Sequence, residues 1–259
     1  MLHQLKHYIH YRLKSIHLHG IHSPFIFEFN RDCLHDNAVY AAYGRLVCFR
    51  ESVLDHNQQL QIEDHGAGSK RLQNELRETT QILKHNSSSA RQAELLYRIA
   101  YYFKVERALE LGTSLGMGTI GLALGSHHVT SVEGSPEVAT YAQERLRENG
   151  VGNVQLIQGT FRDFFMDKLK VKPSGTYGLV FIDGHHNGAA TIGYFEQLLP
   201  YCNNDTVIII DDIYWSKDMT HAWQQLTKHP KVTASLNTYQ WGLLFFRKEQ
   251  GQQCFYINL

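Results

Sequence analysis

From Arg107 onward, short apolar runs rich in β-branched residues alternate with stretches whose apolar positions recur every three or four residues. That alternation is the signature of βαβ units around a mostly parallel sheet. Seven strands follow from it: Arg107–Leu111, Val129–Glu133, Val154–Gln158, Tyr177–Asp183, Thr206–Asp211, Val232–Tyr239 and Gly242–Arg247. Ser135-Pro136 reads as a cap followed by an N1 proline, opening a helix that Gly150 can end. Only Gln240-Trp241 separates the last two strands, too short a link for a crossover helix, so they are expected to form an antiparallel hairpin at the sheet edge. The predicted fold is α/β, doubly wound and Rossmann-like, with a seven-stranded sheet.

The first hundred residues read differently. Helical periodicity runs through Leu2–Leu18, Arg31–Leu54 and Leu72–Leu83, with no convincing strand. His19–Pro24 and Asp64–Ser69 carry turn chemistry, and Ser87-Ser88-Ser89 reads as a mobile link. The expected division is therefore a helical N-terminal extension over residues 1–90 and an α/β domain over residues 91–259.

Composition narrows the partners. Among 259 residues, Lys+Arg and Asp+Glu are each 25, so there is no global positive field to hold a nucleic acid. Cys33, Cys48, Cys202 and Cys254 are scattered and form no CxxC pair, which fits a reducing, cytoplasmic setting without a structural zinc. No apolar run approaches the roughly 20 residues of a membrane span, and the N-terminus lacks the apolar core of a signal peptide. Nothing in the composition specifies an oligomeric state, and a homodimer is compatible with it.

The central chemical signal is Ala108-Leu109-Glu110-Leu111-Gly112-Thr113-Ser114-Leu115-Gly116-Met117-Gly118, a strand that breaks into a glycine-rich turn and opens a helix. Glycines there permit close backbone approach, and the helix presents N–H groups at the carboxyl edge of the sheet. The spacing is not the GxGxxG of nicotinamide binding, and Glu110 just before the turn would oppose a pyrophosphate while suiting the ammonium of an amino-acid-bearing cofactor. Glu133 ends the second strand, where an acid can accept hydrogen bonds from both ribose hydroxyls. The two acids match the two ends of S-adenosylmethionine. The blander alternative makes Glu110 a strand-end salt-bridge partner and Glu133 an ordinary helix N-terminal acid.

On these residues the chain resembles the class I S-adenosylmethionine-dependent methyltransferases over about Leu95 to Phe246. Within that class it is most similar to the catechol O-methyltransferase-like group, whose first motif reads ELGxxxG as Glu110–Gly116 does. The resemblance implies cofactor contacts from Glu110, Gly112, Thr113, Gly116, Gly118 and Glu133, an adenine-side turn at Gly159-Thr160, and a cofactor-side role for Asp183.

Asp183 after the fourth strand and Asp211-Asp212 after the fifth also leave the sheet at its ligand-binding edge. Converging carboxylates repel unless a cation or proton lies between them, and an all-oxygen set suits Mg²⁺. The resembled family holds its metal with an Asp after strand four and an Asp-Asn pair after strand five; Asp183 and Asp211 match, whereas Asp212 stands where the family has Asn. Otherwise Asp183 serves only the cofactor side and Asp211-Asp212 hold a turn. His186, three residues past Asp183, stands where the family carries a catalytic lysine, and imidazole suits a general base. We take His186 over His185. His3, His7 and His10 share one helix face but read as solvated, since no carboxylate backs them.

The expected activity is Mg²⁺-assisted O-methyl transfer from S-adenosylmethionine to a small hydroxylated molecule, with Asp183 and His186 in the catalytic role. Two rivals remain: methylation of RNA, against which the zero net charge weighs, and a protein that binds S-adenosylmethionine without catalysis.

Overall fold

The computed structural model describes residues 2–17, 20–63, 75–168 and 175–259. The chain divides into two compact units, one of Met1–Asp36 with Gly175–Leu259, the other of Asn37–Ser174.

The first unit begins with helix α1 (Leu2–Lys14), then α2 (Pro24–Phe29), which Ser23 caps and which runs into a π-turn over Asn30–Leu34. Within the second unit α3 (Ala41–Asp55) precedes β1 (Gln59–Ile62) and β2 (Glu75–Glu78), followed by α4 (Thr79–His85), α5 (Ala90–Tyr102), β3 (Arg107–Leu111) and α6 (Met117–Gly125). β4 (His128–Glu133), α7 (Pro136–Glu148), β5 (Val154–Gln158) and the single turn α8 (Phe161–Asp163) complete its regular elements, before a π-turn at Phe164–Lys168. The rest of the first unit supplies β6 (Leu179–Ile182), α9 (Gly188–Leu198), β7 (Val207–Ile210), α10 (Lys217–Leu226), β8 (Ala234–Asn237), β9 (Gly242–Phe245) and β10 (Gln253–Tyr256).

The seven expected strands are all present; β3 and β5 have the expected bounds, β4 starts one residue earlier, and β6 to β9 are trimmed at their ends. In the second unit β3, β4 and β5 pair in parallel, and in the first unit β6 and β7 do. Every residue of Leu179–Ile182 and Val207–Ile210 is buried, as continuous apolar runs must be in a sheet covered on both faces. β9 runs antiparallel to both β7 and β8, giving the expected hairpin, although β10 and not the hairpin takes the sheet edge. An eighth strand, β10, adds in parallel to β8 and was not anticipated, because Gln253-Cys254-Phe255-Tyr256 is too short and polar at its start to show a period.

Other departures lie in the first hundred residues. β1 and β2 form an antiparallel pair, Leu60 opposite Arg77, where only helix was expected. The predicted helix over Arg31–Leu54 is broken between Leu34 and Ala41, so α3 starts afresh. Ser87–Ser89 is not a mobile link: Ser88 is buried, and Ser89 forms a capping box with Gln92 at the start of α5. The turn at Asp64–Ser69 and the start of the expected Leu72–Leu83 helix lie outside the described residues. Gly150 ends α7 in the left-handed region as expected, while the Ser135 hydroxyl bonds the Gln61 carbonyl rather than capping the helix.

α5 and α6 pack so closely that glycine is required. A Cβ on Gly121 would lie 2.4 Å from the Ala93 carbonyl oxygen, and one on Gly125 would lie 2.5 Å from that of Tyr97. Backbone cannot yield as a side chain does. Gly121→Ala is therefore expected to destabilise the protein by about 1–3 kcal/mol through overpacking. Urea unfolding checks this; an unchanged midpoint would show that α6 shifts without penalty.

Candidate functional site

Two groups of side chains carry the chemistry, one in each unit. In the second unit β3 runs straight into the glycine turn that opens α6. Gly112, Ser114 and Gly116 all have positive φ (110°, 49° and 92°), so the turn coils tightly and leaves the first N–H groups of α6 at its tip. Ser114, the non-glycine among them, is locked from three sides. Its N–H donates to Glu133 Oε2 at 2.8 Å, its hydroxyl donates to the Asn86 carbonyl at 3.0 Å, and that hydroxyl lies 2.8 Å from the Ser87 hydroxyl.

Glu133, at the tip of β4, is half-buried. Its Oε2 accepts from Ser114 and its Oε1 from the Ser135 N–H at 3.0 Å, so both oxygens are oriented by backbone. Its own carbonyl accepts the Gly159 N–H at 2.9 Å, which ties the tip of β4 to the exit of β5. There Thr160 and Asp163 form a capping box, fixing Gly159-Thr160 as a short rigid turn. The glycine turn, Glu133 and the Gly159-Thr160 turn are thus one hydrogen-bonded frame.

Glu110 sits beneath that frame, 1% exposed. Its Oε2 accepts from the Thr119 hydroxyl and from the Ser131 hydroxyl, both at 2.5 Å, and Ser131 lies 2.6 Å from the Thr113 hydroxyl. Ser131 faces Glu110 directly in the β3–β4 register. Gly118 makes room for this carboxylate, since a Cβ there would meet Glu110 Oε1 at 2.7 Å. The geometry gives Glu110 a part in holding the turn. Ser114, Thr119 and Ser131 went unnoticed in the sequence; the only signal for Ser131 was its place opposite Glu110 once β3 and β4 are aligned.

In the first unit Asp183, His185, His186, Asp211 and Asp212 come together after β6 and β7. Asp211 is 7% exposed. Burial pushes its carboxyl well above the ordinary carboxylate range, and the neighbouring charges of Asp183 and Asp212 push it further, with a hydrogen bond to the Asp183 side chain in the same direction. Its Oδ1 is buried without a hydrogen-bond partner among the described residues. Asp212 is raised by burial, against which the charge of His186 pulls. The three acids therefore sort into Asp183 beside Asp211, and Asp212 beside His186.

The two histidines separate as well. His185 Nδ1 lies 2.6 Å from the Tyr194 hydroxyl, whereas the His186 ring lies 5.9 Å from that of Trp215, after the acid pair. His185, His186 and Asp212 all have positive φ (66°, 28° and 52°). Such backbone persists only where its surroundings hold it, and it clusters at functional sites. Among the described residues no three His, Cys, Asp or Glu side chains are grouped as metal ligands. Two facing carboxylates, one with an orphaned buried oxygen, nonetheless have the donor chemistry of Mg²⁺, which keeps several waters and takes one or two carboxylates.

Residues 109–213 match a family described as a methyltransferase domain. A catechol O-methyltransferase of Mycobacterium tuberculosis is 30% identical over 129 residues, covering 48% of this chain and 56% of that protein; the match thus spans little more than half of its relative. The fold is shared with the Streptomyces achromogenes O-methyltransferase involved in tomaymycin synthesis, solved in complex with S-adenosylmethionine. That likeness has 20% identity and a TM-score of 0.56, over 81% of this chain and 91% of the other. It is also shared with an O-methyltransferase of Bacillus cereus in complex with S-adenosylhomocysteine, at 16% identity and a TM-score of 0.56, over 84% and 96%.

Proposed function

We propose that this chain, whose residues 109–213 match a methyltransferase-domain family, transfers the methyl group of S-adenosylmethionine to the oxygen of a small hydroxylated acceptor. The observation that carries the reading is the frame in which Glu133, at a strand tip, is aimed by two backbone N–H groups beside a left-handed glycine turn. A carboxylate so placed accepts hydrogen bonds from a ribose diol, and the turn admits the amino-acid end of the ligand. Gly112, Thr113 and Gly116 would line that end, Gly118 and Glu110 brace it, and Gly159-Thr160 would border the adenine.

The bound cofactor supplies an electrophilic methyl group for in-line displacement by a nucleophilic oxygen. A neutral hydroxyl attacks poorly, so the acceptor's proton has to be weakened or removed. His186 is the group assigned to take it, because His185 is engaged with Tyr194 while His186 stands beside Asp212. Asp183 and Asp211 are the residues that would hold a divalent cation, which lowers the pKa of a coordinated hydroxyl. A cation there would also relieve the repulsion that burial imposes on the pair.

The test is transfer of labelled methyl from S-adenosylmethionine to catechol and related diols, with Mg²⁺ and with EDTA. Turnover that EDTA suppresses and that His186→Ala lowers by about 10²-fold or more supports the assignment. Turnover indifferent to both EDTA and His186→Ala would contradict it.

A further inference from the structure

We propose that a cavity in the first unit, bounded by α1, α10 and β10, binds a small aromatic carboxylate. The cavity measures about 200 Å³. It is lined on one side by Lys6, His7 and His10 and on the other by Tyr214, Trp223, Thr227 and Tyr256.

Its size suits a single ring: a cavity of roughly 150 Å³ admits benzene, and drug-sized ligands need roughly 300 Å³ or more. The walls suit one too. Trp223 is buried at 3% exposure, Tyr214 at 6%, and the His7 ring stacks on Tyr214 with centroids 4.9 Å apart. These rings are held in place, so a planar ligand meets a preformed slot. Tyr11 donates to the Ile257 carbonyl at 2.6 Å, and the Ile16 N–H donates to that of Tyr256 at 2.9 Å, which fixes α1 against β10 and keeps the slot open.

Charge decides the ligand's other end. α1 carries His3, Lys6, His7, His10, Arg12 and Lys14 with no Asp or Glu, in a chain whose formal net charge is zero. No carboxylate pairs with Lys6, His7, His10 or Lys14 among the described residues, and Lys14 lies 5.3 Å over the Tyr256 ring, adding to the same field. Burial holds the His7 imidazole below its ordinary value, and the charges of His3, Lys6 and His10 hold it lower still, which is what a positive site without a counter-ion does. A transition metal fits less well, because no three His, Cys, Asp or Glu of the described residues are grouped to ligate one. A carboxylate between Lys6 and His10, with its ring against Trp223, satisfies both walls at once.

The site does not depend on the methyl-transfer reading, since none of its lining residues is assigned to that chemistry. The test titrates benzoate, acetate and benzyl alcohol into the full-length protein, following tryptophan fluorescence and heat. Benzoate is expected to bind saturably and at least about tenfold more tightly than acetate or benzyl alcohol, one charged hydrogen bond or one buried ring each being worth about that factor. The Lys6→Gln/His10→Gln double variant, altered at two exposed side chains, should weaken benzoate about tenfold or more, and Thr227→Phe should block it by filling the slot. Thermal melting measured alongside reports that each variant is folded. Benzoate binding equally well to both variants, acetate binding as tightly as benzoate, or no saturable response would overturn the proposal.

Discussion

Glu133→Ala is expected to weaken binding of S-adenosylmethionine and S-adenosylhomocysteine by about a hundredfold, the value of two charge-assisted hydrogen bonds to a ribose diol. The effect has two sources. The carboxylate would meet both hydroxyls, and it also holds the Ser114 and Ser135 N–H groups, so its removal loosens the turn that receives the cofactor. Glu133→Gln separates them, because the amide keeps one acceptor for the turn but loses the charge. It should fall between, about tenfold weaker than the parent. Titration calorimetry of both variants, with thermal melts to confirm folding, provides the check. An unchanged affinity for Glu133→Ala would remove the ribose assignment.

Asp211→Asn should separate stability from activity. Asp211 is raised above its unfolded value, so the folded state holds its proton more tightly than the unfolded chain does. Its favourable contribution is present below the ordinary carboxylate range and is lost as pH rises toward the raised folded value. Near pH 8, where the unfolded carboxyl is free to ionise, keeping Asp211 buried beside Asp183 therefore costs stability, whether the folded carboxyl holds its proton or releases it. The neutral amide removes that cost. In EDTA at pH 8, Asp211→Asn is expected to melt about 2–4 °C higher, equivalent to about 1 kcal/mol, while methyl transfer falls about 10³-fold. A variant that melts lower in EDTA, or that retains full turnover, would show that Asp211 is a structural group instead.

The parts of the fold that could be read in advance are those where one physical signal dominates. β6 and β7 are unbroken apolar runs, and β3 ends in glycines whose positive φ few other residues accept. β1 and β2 were invisible for the opposite reason. Gln59–Ile62 alternates over only four residues, and Glu75-Leu76-Arg77-Glu78 is too charged to read as a strand; each is stabilised by pairing with the other. β10 is similar, its place set by β8 alongside.

The candidate site divides along the same line. Glu110, Glu133, Asp183 and Asp211 stand out because acids at strand ends are conspicuous. That Glu110 is buried among Thr119 and Ser131, or that adjacent Asp211 and Asp212 face different partners, depends on register and on a positive φ at Asp212, neither of which spacing encodes. His186 is preferred to His185 from its spacing after Asp183, but the partner of His185 is hidden in the sequence: Tyr194 is nine residues from His185 along the chain and 2.6 Å away in space.

The central claim is that the frame around the glycine turn binds S-adenosylmethionine. Calorimetric titration of S-adenosylhomocysteine into the unaltered protein, with NAD as a parallel ligand, tests it most directly. Saturable one-to-one binding of S-adenosylhomocysteine and none of NAD is expected. Binding of NAD in its place, or of neither ligand, would contradict it.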